Sequence, residues 1–155
     1  MSDKHQAVDV QYAVTVDGMP EANEIRQWVL QALPEQKKAS ELTVRVVDEA
    51  EITALNRQYR GKEGATNVLS FPYEAIPGVA SDLLGDVVIC APVVASESVA
   101  QNKPLDAHWA HMIVHGMLHL QGYDHMKDDE AELMEGLEIQ ILDKLGFNNP
   151  YETRS

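Results

Sequence analysis

Apolar residues at Val8, Val10, Tyr12, Val14 and Val16 alternate with Asp9, Gln11, Ala13 and Thr15. A period of two puts successive side chains on opposite faces, so this stretch predicts a half-buried strand. After Pro20 the period lengthens, and Ile25, Trp28, Val29 and Ala32 share one helical face. Alternation returns at Leu42, Val44 and Val46, a second strand. Asp48 and Glu51 have the spacing of a capping box, with Asp in place of Ser or Thr, and open a helix carrying Ile52, Leu55 and Tyr59. Val68 to Phe71 reads as a short strand stopped by Pro72, which has no N–H to donate. Val87 to Ala91 is apolar throughout, as in a central strand covered on both faces. Pro92 can begin a helix to about Gln101. Asp106 to Leu120 and Asp129 to Leu145 read as two more, with Gly146 as the stop of the last.

The resulting order is βαβαββααα, an α+β chain read as a single domain over residues 1–155. Strands joined through helices should pair in parallel with right-handed crossovers. The third and fourth strands have no helix between them, and antiparallel pairing is easier for them. One mixed four-stranded sheet with helices packed around it follows. Tyr73 to Gly85 is a long connection for a compact domain, a length often associated with function.

Composition narrows the setting. Forty-five per cent of the 155 residues are hydrophobic, enough for a real core. No apolar run approaches the ~18 residues that span a bilayer. The first residues lack a secretory apolar segment, and the single cysteine, Cys90, has no internal disulfide partner. These features suit a soluble, cytoplasmic protein with no membrane partner. Twelve Lys and Arg against 25 Asp and Glu leave a net charge of −13. Phosphate contacts need cations, so general nucleic-acid binding is disfavoured and DNA is not an expected partner. Any RNA must be held by a local basic patch and by a metal.

The chemistry concentrates in the histidines. His108, His111, His115 and His119 share one face of a predicted helix. They cannot all hold one ion, because His111 and His119 are roughly 12 Å apart along the axis at 1.5 Å per residue. Two neighbours four residues apart can share an ion, and the third ligand must come from elsewhere. Gly122 can turn the chain sharply, which allows His125 to return. His115, His119 and His125 are therefore the candidate metal ligands. Three neutral imidazoles leave a coordination position open, as catalytic zinc sites require. The spacing H-x3-H-x2-G-x2-H is that of the metzincin proteases. Those enzymes place a glutamate base after the first histidine, where this chain has Gly116. The metal cage is present and the peptidase base is missing. His108 and His111 are read as groups behind the ligands or on the surface, and Asp124 as a ligand-orienting or turn-capping residue.

The segment His115-Gly116-Met117-Leu118-His119-Leu120-Gln121-Gly122-Tyr123-Asp124-His125 resembles the signature of the YbeY family of bacterial metal-dependent endoribonucleases. Tyr59-Arg60-Gly61, followed by Thr66-Asn67-Val68-Leu69-Ser70-Phe71-Pro72, matches a second motif of that family, and Gly85-Asp86-Val87 resembles a third. Asn67 stands where many members have aspartate and is given no catalytic weight. The resemblance covers nearly the whole chain. It implies one Zn2+, single-stranded RNA as substrate, and a role in 3′-end maturation of small-subunit ribosomal RNA and in ribosome quality control. The implied partners are ribosomal RNA and the small ribosomal subunit. By the same resemblance His115, His119 and His125 are the zinc ligands, and Arg60 matches the family's activity-linked arginine.

A guanidinium can grip phosphate oxygens through two parallel hydrogen bonds, which suits Arg60. Arg57 and Lys62 are near it in sequence. Tyr73 is a candidate for stacking on a base. Leu133, Met134, Leu137, Ile141 and Leu145 form the expected core stripe of the last helix. Asp128, Asp129, Glu130, Glu132, Glu135 and Glu138 are read as its solvated face. Two alternatives remain at this level: a metallohydrolase of another substrate such as peptide, and a non-catalytic metal-binding factor in ribosome assembly.

Overall fold

The computed structural model describes residues 7–74, 77–78 and 81–151. The elements are β1 (Val8–Tyr12), α1 (Ala22–Gln31), β2 (Glu41–Val47), α2 (Glu49–Arg60), β3 (Val68–Pro72), β4 (Leu83–Cys90), α3 (Ala91–Ala100), α4 (Leu105–Leu120) and α5 (Asp128–Lys144), with a short 3-10 turn at Glu35–Lys37. This is the order expected from the pattern of polar and apolar positions. The first six residues, whose character bore on a secretory signal, lie outside the described residues.

The sheet runs β1-β2-β4-β3. β1 with β2 and β2 with β4 pair in parallel, while β3 pairs antiparallel to β4. β1 and β2, joined through α1, pair in parallel as expected, and β3 and β4, with no helix between them, pair antiparallel. The expectation fails for β2 and β3: α2 joins them, but β4 inserts between them, so they do not pair and β3 runs antiparallel to β2. Period-two alternation then divides the core. Val44, Val46, Val87 and Ile89 meet α1, α4 and α5 through Ile25, Trp28, Ile113, Met117, Met134 and Leu142. Val47, Val88, Cys90 and Leu69 face the other way and meet Ile52 and Leu55 of α2. β4 is thus covered on both faces from Val87 to Cys90, as its apolar run required, while β2 keeps Thr43 and Arg45 partly exposed on its second face.

Four local expectations need adjustment. β1 ends at Tyr12, because its partner leaves the sheet at Val47; Val14 and Val16 still pack on the core. Asp48 caps α2 by accepting from the Glu51 N–H at 2.9 Å, but the Glu51 carboxylate takes a two-pronged bond from Arg45 at 2.6 and 3.1 Å instead of closing the box. Pro72 is the last residue of β3 rather than its stop. An edge strand tolerates proline there, because the next ladder bond is made by Tyr73 N–H to the Leu84 carbonyl at 3.0 Å. β4 begins at Leu83, which shortens the expected long loop, and residues 75, 76, 79 and 80 of that loop lie outside the described ones.

Gly85 marks the irregularity at the start of β4. Glu41 pairs with Leu83 and Leu42 with Gly85, so one extra residue bulges between them. Gly85 has φ +140°, and a Cβ on it would lie 2.2 Å from the Phe71 carbonyl oxygen. Among the described residues no helix is long and apolar enough to cross a membrane.

Candidate metal centre

α4 is the central helix, with eleven of its sixteen residues buried. It lies over β3 and β4, so the histidines on it are rigidly placed. His115 and His119, one turn apart, have ring centroids separated by 4.6 Å and are partly buried. The helix ends in a Schellman turn: Gly122 N–H bonds to the His119 carbonyl at 2.9 Å and Tyr123 N–H to that of Leu118 at 3.0 Å. Gly122 adopts φ +101°, and nothing lies within 4 Å of a Cβ built there, so conformation rather than space requires glycine. Beyond the turn the Asp124 carboxylate accepts from the His125 N–H at 2.7 Å, the turn-capping role.

This bend brings the exposed His125 back to 5.5 Å from His115 and 5.0 Å from His119, centroid to centroid. One nitrogen from each ring lies within 4.8 Å of the others. The three rings therefore share one site, the arrangement on which the sequence reading depended. Burial first, and then the neighbouring His115 and His125, lower the pKa of His119. A neutral imidazole is the ligand form, so the donor set fits a borderline divalent ion such as zinc.

Behind His115 stands a residue that sequence reasoning misassigned. Glu138 of α5 is fully buried, not part of a solvated face. It lies between Met134 and Leu142, also buried, on one row of the helix at i, i+4 and i+8. Leu133, expected in the core, is 58% exposed. A carboxylate within an inward-facing row was the available signal, because such a charge persists only with partners. Those partners are His115 Nδ1 at 2.5 Å, His111 Nε2 at 3.2 Å and the Tyr151 hydroxyl. Burial pushes the Glu138 pKa up, but the bonds from His111, His115 and Tyr151 prevail and hold it down at about 2. The carboxylate is thus ionised and can only accept.

His108 and His111 are both buried, which removes the surface alternative for them. His108 Nε2 meets Glu97 at 2.8 Å, and Asn67 donates its amide to both oxygens of the same carboxylate at 3.2 Å. Burial lowers the pKa of His108 despite that partner.

Gly116 occupies the protease base position for a packing reason. A Cβ there would lie 2.9 Å from Val87 Cγ1 and 3.0 Å from Val68 Cγ2, and the Ser70 hydroxyl donates to the Gly116 carbonyl at 2.7 Å. The close approach of α4 to β3 and β4 leaves no free space for a side chain there. Gly116→Ala gains about 1 kcal/mol of helix propensity. It meets two stiff β-branched neighbours, and overpacking costs about 1–3 kcal/mol. A net loss of about 1 kcal/mol is expected in urea unfolding, and a stabilised variant would show that the contact yields freely.

Arg60 is not brought into contact with the three histidines. It is the exposed last residue of α2, on the opposite face of the sheet from α4. Their sequence neighbours Tyr59 and Leu120 nonetheless meet the Phe71 end of edge strand β3. Tyr59 stacks edge-on against Phe71 at 5.4 Å, and Leu120 of α4 reaches Gly85, whose Cβ position abuts the Phe71 carbonyl. Arg57 and Lys62 are exposed as well, with Arg57 loosely paired to Glu63 at 3.7 Å. Tyr73 lines a groove of about 780 Å³ together with Asp9, Glu41, Glu74 and Asp86. Four carboxylates there oppose a phosphate chain, which weakens the case for Tyr73 as a base-stacking group.

A family model described as Endoribonuclease YbeY matches residues 10–146. Among solved structures, the chain is similar to the solution structure of TM1509 from Thermotoga maritima, at 22% identity and a TM-score of 0.54, with 94% of this chain and 99% of that one covered. At that identity the likeness concerns the fold.

Proposed function

The chain belongs to the YbeY endoribonuclease family, and on that premise we propose that it is a zinc-dependent nuclease specific for single-stranded RNA, with His115, His119 and His125 as the zinc ligands. Its proposed work is 3′-end maturation of small-subunit ribosomal RNA and ribosome quality control, in the cytoplasm, with ribosomal RNA and the small subunit as partners. The observation that supports this reading most is the convergence of the three imidazoles at a point that His125 leaves accessible to solvent.

Bound there, the ion supplies Lewis acidity toward a phosphate oxygen and toward water. The protein's own residues do the placing. His115 and His119 come from a buried helix and fix the site against the sheet, while the exposed His125 marks the side from which substrate enters. Asp128, Asp129, Glu132 and Glu135 are exposed on α5 and repel a polyanion on that flank. RNA is therefore steered away from α5, and Arg60, exposed at the end of α2, can grip a flanking phosphate with its fork of donors.

Two measurements test this. Purified protein is expected to carry zinc, to lose cleavage of a single-stranded ribosomal RNA fragment on chelation and to regain it with zinc. Parental cleavage after complete metal removal would overturn the metal-dependent reading. Arg60→Glu is expected to lower cleavage at least 100-fold with zinc content unchanged, which corresponds to about 2.7 kcal/mol at 1.36 kcal/mol per decade. Equal activity in that variant removes Arg60 from the mechanism.

A further inference from the structure

We propose that Glu138, clamped by Tyr151 from the C-terminal segment, is the positioning residue that decides which nitrogen His115 turns to the metal; the proposal rests on the metal-centre reading above. The two oxygens of Glu138 are met separately, Oε1 by the donating Tyr151 hydroxyl and Oε2 by the His115 ring, and the 2.5 Å contact at Oε2 places the imidazole proton on Nδ1. That tautomer leaves the lone pair on Nε2, on the far side of the ring from Glu138. The other carboxylate oxygen is occupied by His111 and by the Tyr151 hydroxyl, so Glu138 has no freedom to rotate away. A carboxylate that orients a ligating imidazole in this way strengthens its hold on the ion.

The segment that carries Tyr151 is anchored at several points. α5 ends in a second Schellman turn, with Gly146 N–H to the Asp143 carbonyl at 3.0 Å and Phe147 N–H to that of Leu142 at 2.8 Å. Phe147 packs edge-on against Trp28 at 6.1 Å, and Tyr151 edge-on against His111 at 5.3 Å. This segment lies beyond residue 146, where the family match ends. Residues 147–151 thus buttress the centre through His111 and Glu138.

Two properties separate positioning from mere packing: the zinc Kd, and the His115 tautomer read by 15N NMR in the metal-free protein. Glu138→Met keeps bulk and removes both acceptors. It is expected to weaken zinc binding 10–100-fold and to erase the Nδ1–H preference of His115. Glu138→Gln, which retains one acceptor oxygen, is expected to restore part of both. Tyr151→Phe is expected to weaken zinc binding several-fold with an unchanged circular dichroism spectrum. A folded Glu138→Met variant with parental Kd and parental tautomer overturns the proposal. If that variant does not fold, a Tyr151→Phe protein with parental Kd and parental His115 shifts overturns it. Failure of the metal-centre reading is visible separately, as absence of zinc binding by the parental protein.

Discussion

His119→Ala is expected to reduce zinc affinity by two orders of magnitude or more and to abolish RNA cleavage, while the fold is kept. Four-ligand zinc sites in small peptides gain about 10–16 kcal/mol on binding, so one ligand's share is about 3 kcal/mol. At 1.4 kcal/mol per decade that share is roughly 100-fold in Kd. The fold should tolerate the change because His119 is only partly buried and its neighbours are the two other candidate ligands. Removing it also relieves the burial that holds an imidazole neutral there. Zinc titration by calorimetry, with cleavage assayed on the same preparation, checks the result. Stoichiometric zinc binding at parental affinity would mean that the three rings do not act as one site. Unchanged cleavage with metal lost would assign the activity to a contaminating nuclease or to another site.

The largest effect on stability is expected at Gly85. Gly85→Ala places a Cβ 2.2 Å from the Phe71 carbonyl oxygen and 2.9 Å from Pro72 Cα, with Leu120 Cδ1 at 2.8 Å. The first two atoms are backbone of the neighbouring strand, so relief requires β3 to move off β4. The φ of +140° is itself a conformation that alanine avoids. Backbone strain of about 1–3 kcal/mol and overpacking of about 1–3 kcal/mol together suggest a loss of about 4 kcal/mol. Against a total stability of about 5–15 kcal/mol this is a large fraction. At about 2–4 °C per kcal/mol for a chain of this size, the midpoint of thermal unfolding should fall by about 10 °C. Gly122→Ala is an internal comparison, since its left-handed φ carries strain with no collision. A Gly85→Ala protein within 1 °C of the parental midpoint would mean that the bulge is plastic.

These two sites differ in how readily the chain itself discloses them. The spacing of His115, His119 and His125 around Gly122 was legible because helix geometry and a glycine stop are local properties. The element order was legible for the same reason, and so were the parallel pairing of β1 with β2 and the antiparallel pairing of β3 with β4; the insertion of β4 between β2 and β3, which sets β3 antiparallel to β2 despite the helix joining them, was not. The tight fit at Gly85 and Gly116 was not, since each depends on the distance between segments remote in sequence. Gly116 could be read as a missing base but not as a contact with Val68 and Val87.

What the sequence by itself determined is therefore the list of elements, the β1/β2 and β3/β4 pairings, and the three imidazoles that can meet across one helical turn and one bend. What only the tertiary structure decided is which side chains stand behind them. Glu138 looked like one acid among many on α5 because a hydrophobic–polar pattern assigns carboxylates to water. It is buried because α5 docks that row against α4, where His111, His115 and the tail's Tyr151 supply hydrogen bonds in place of solvent. The placement of Arg60 across the sheet from the histidines is of the same kind. Local periodicity specifies the faces of each element, but the partner that meets a face is chosen only when the elements pack.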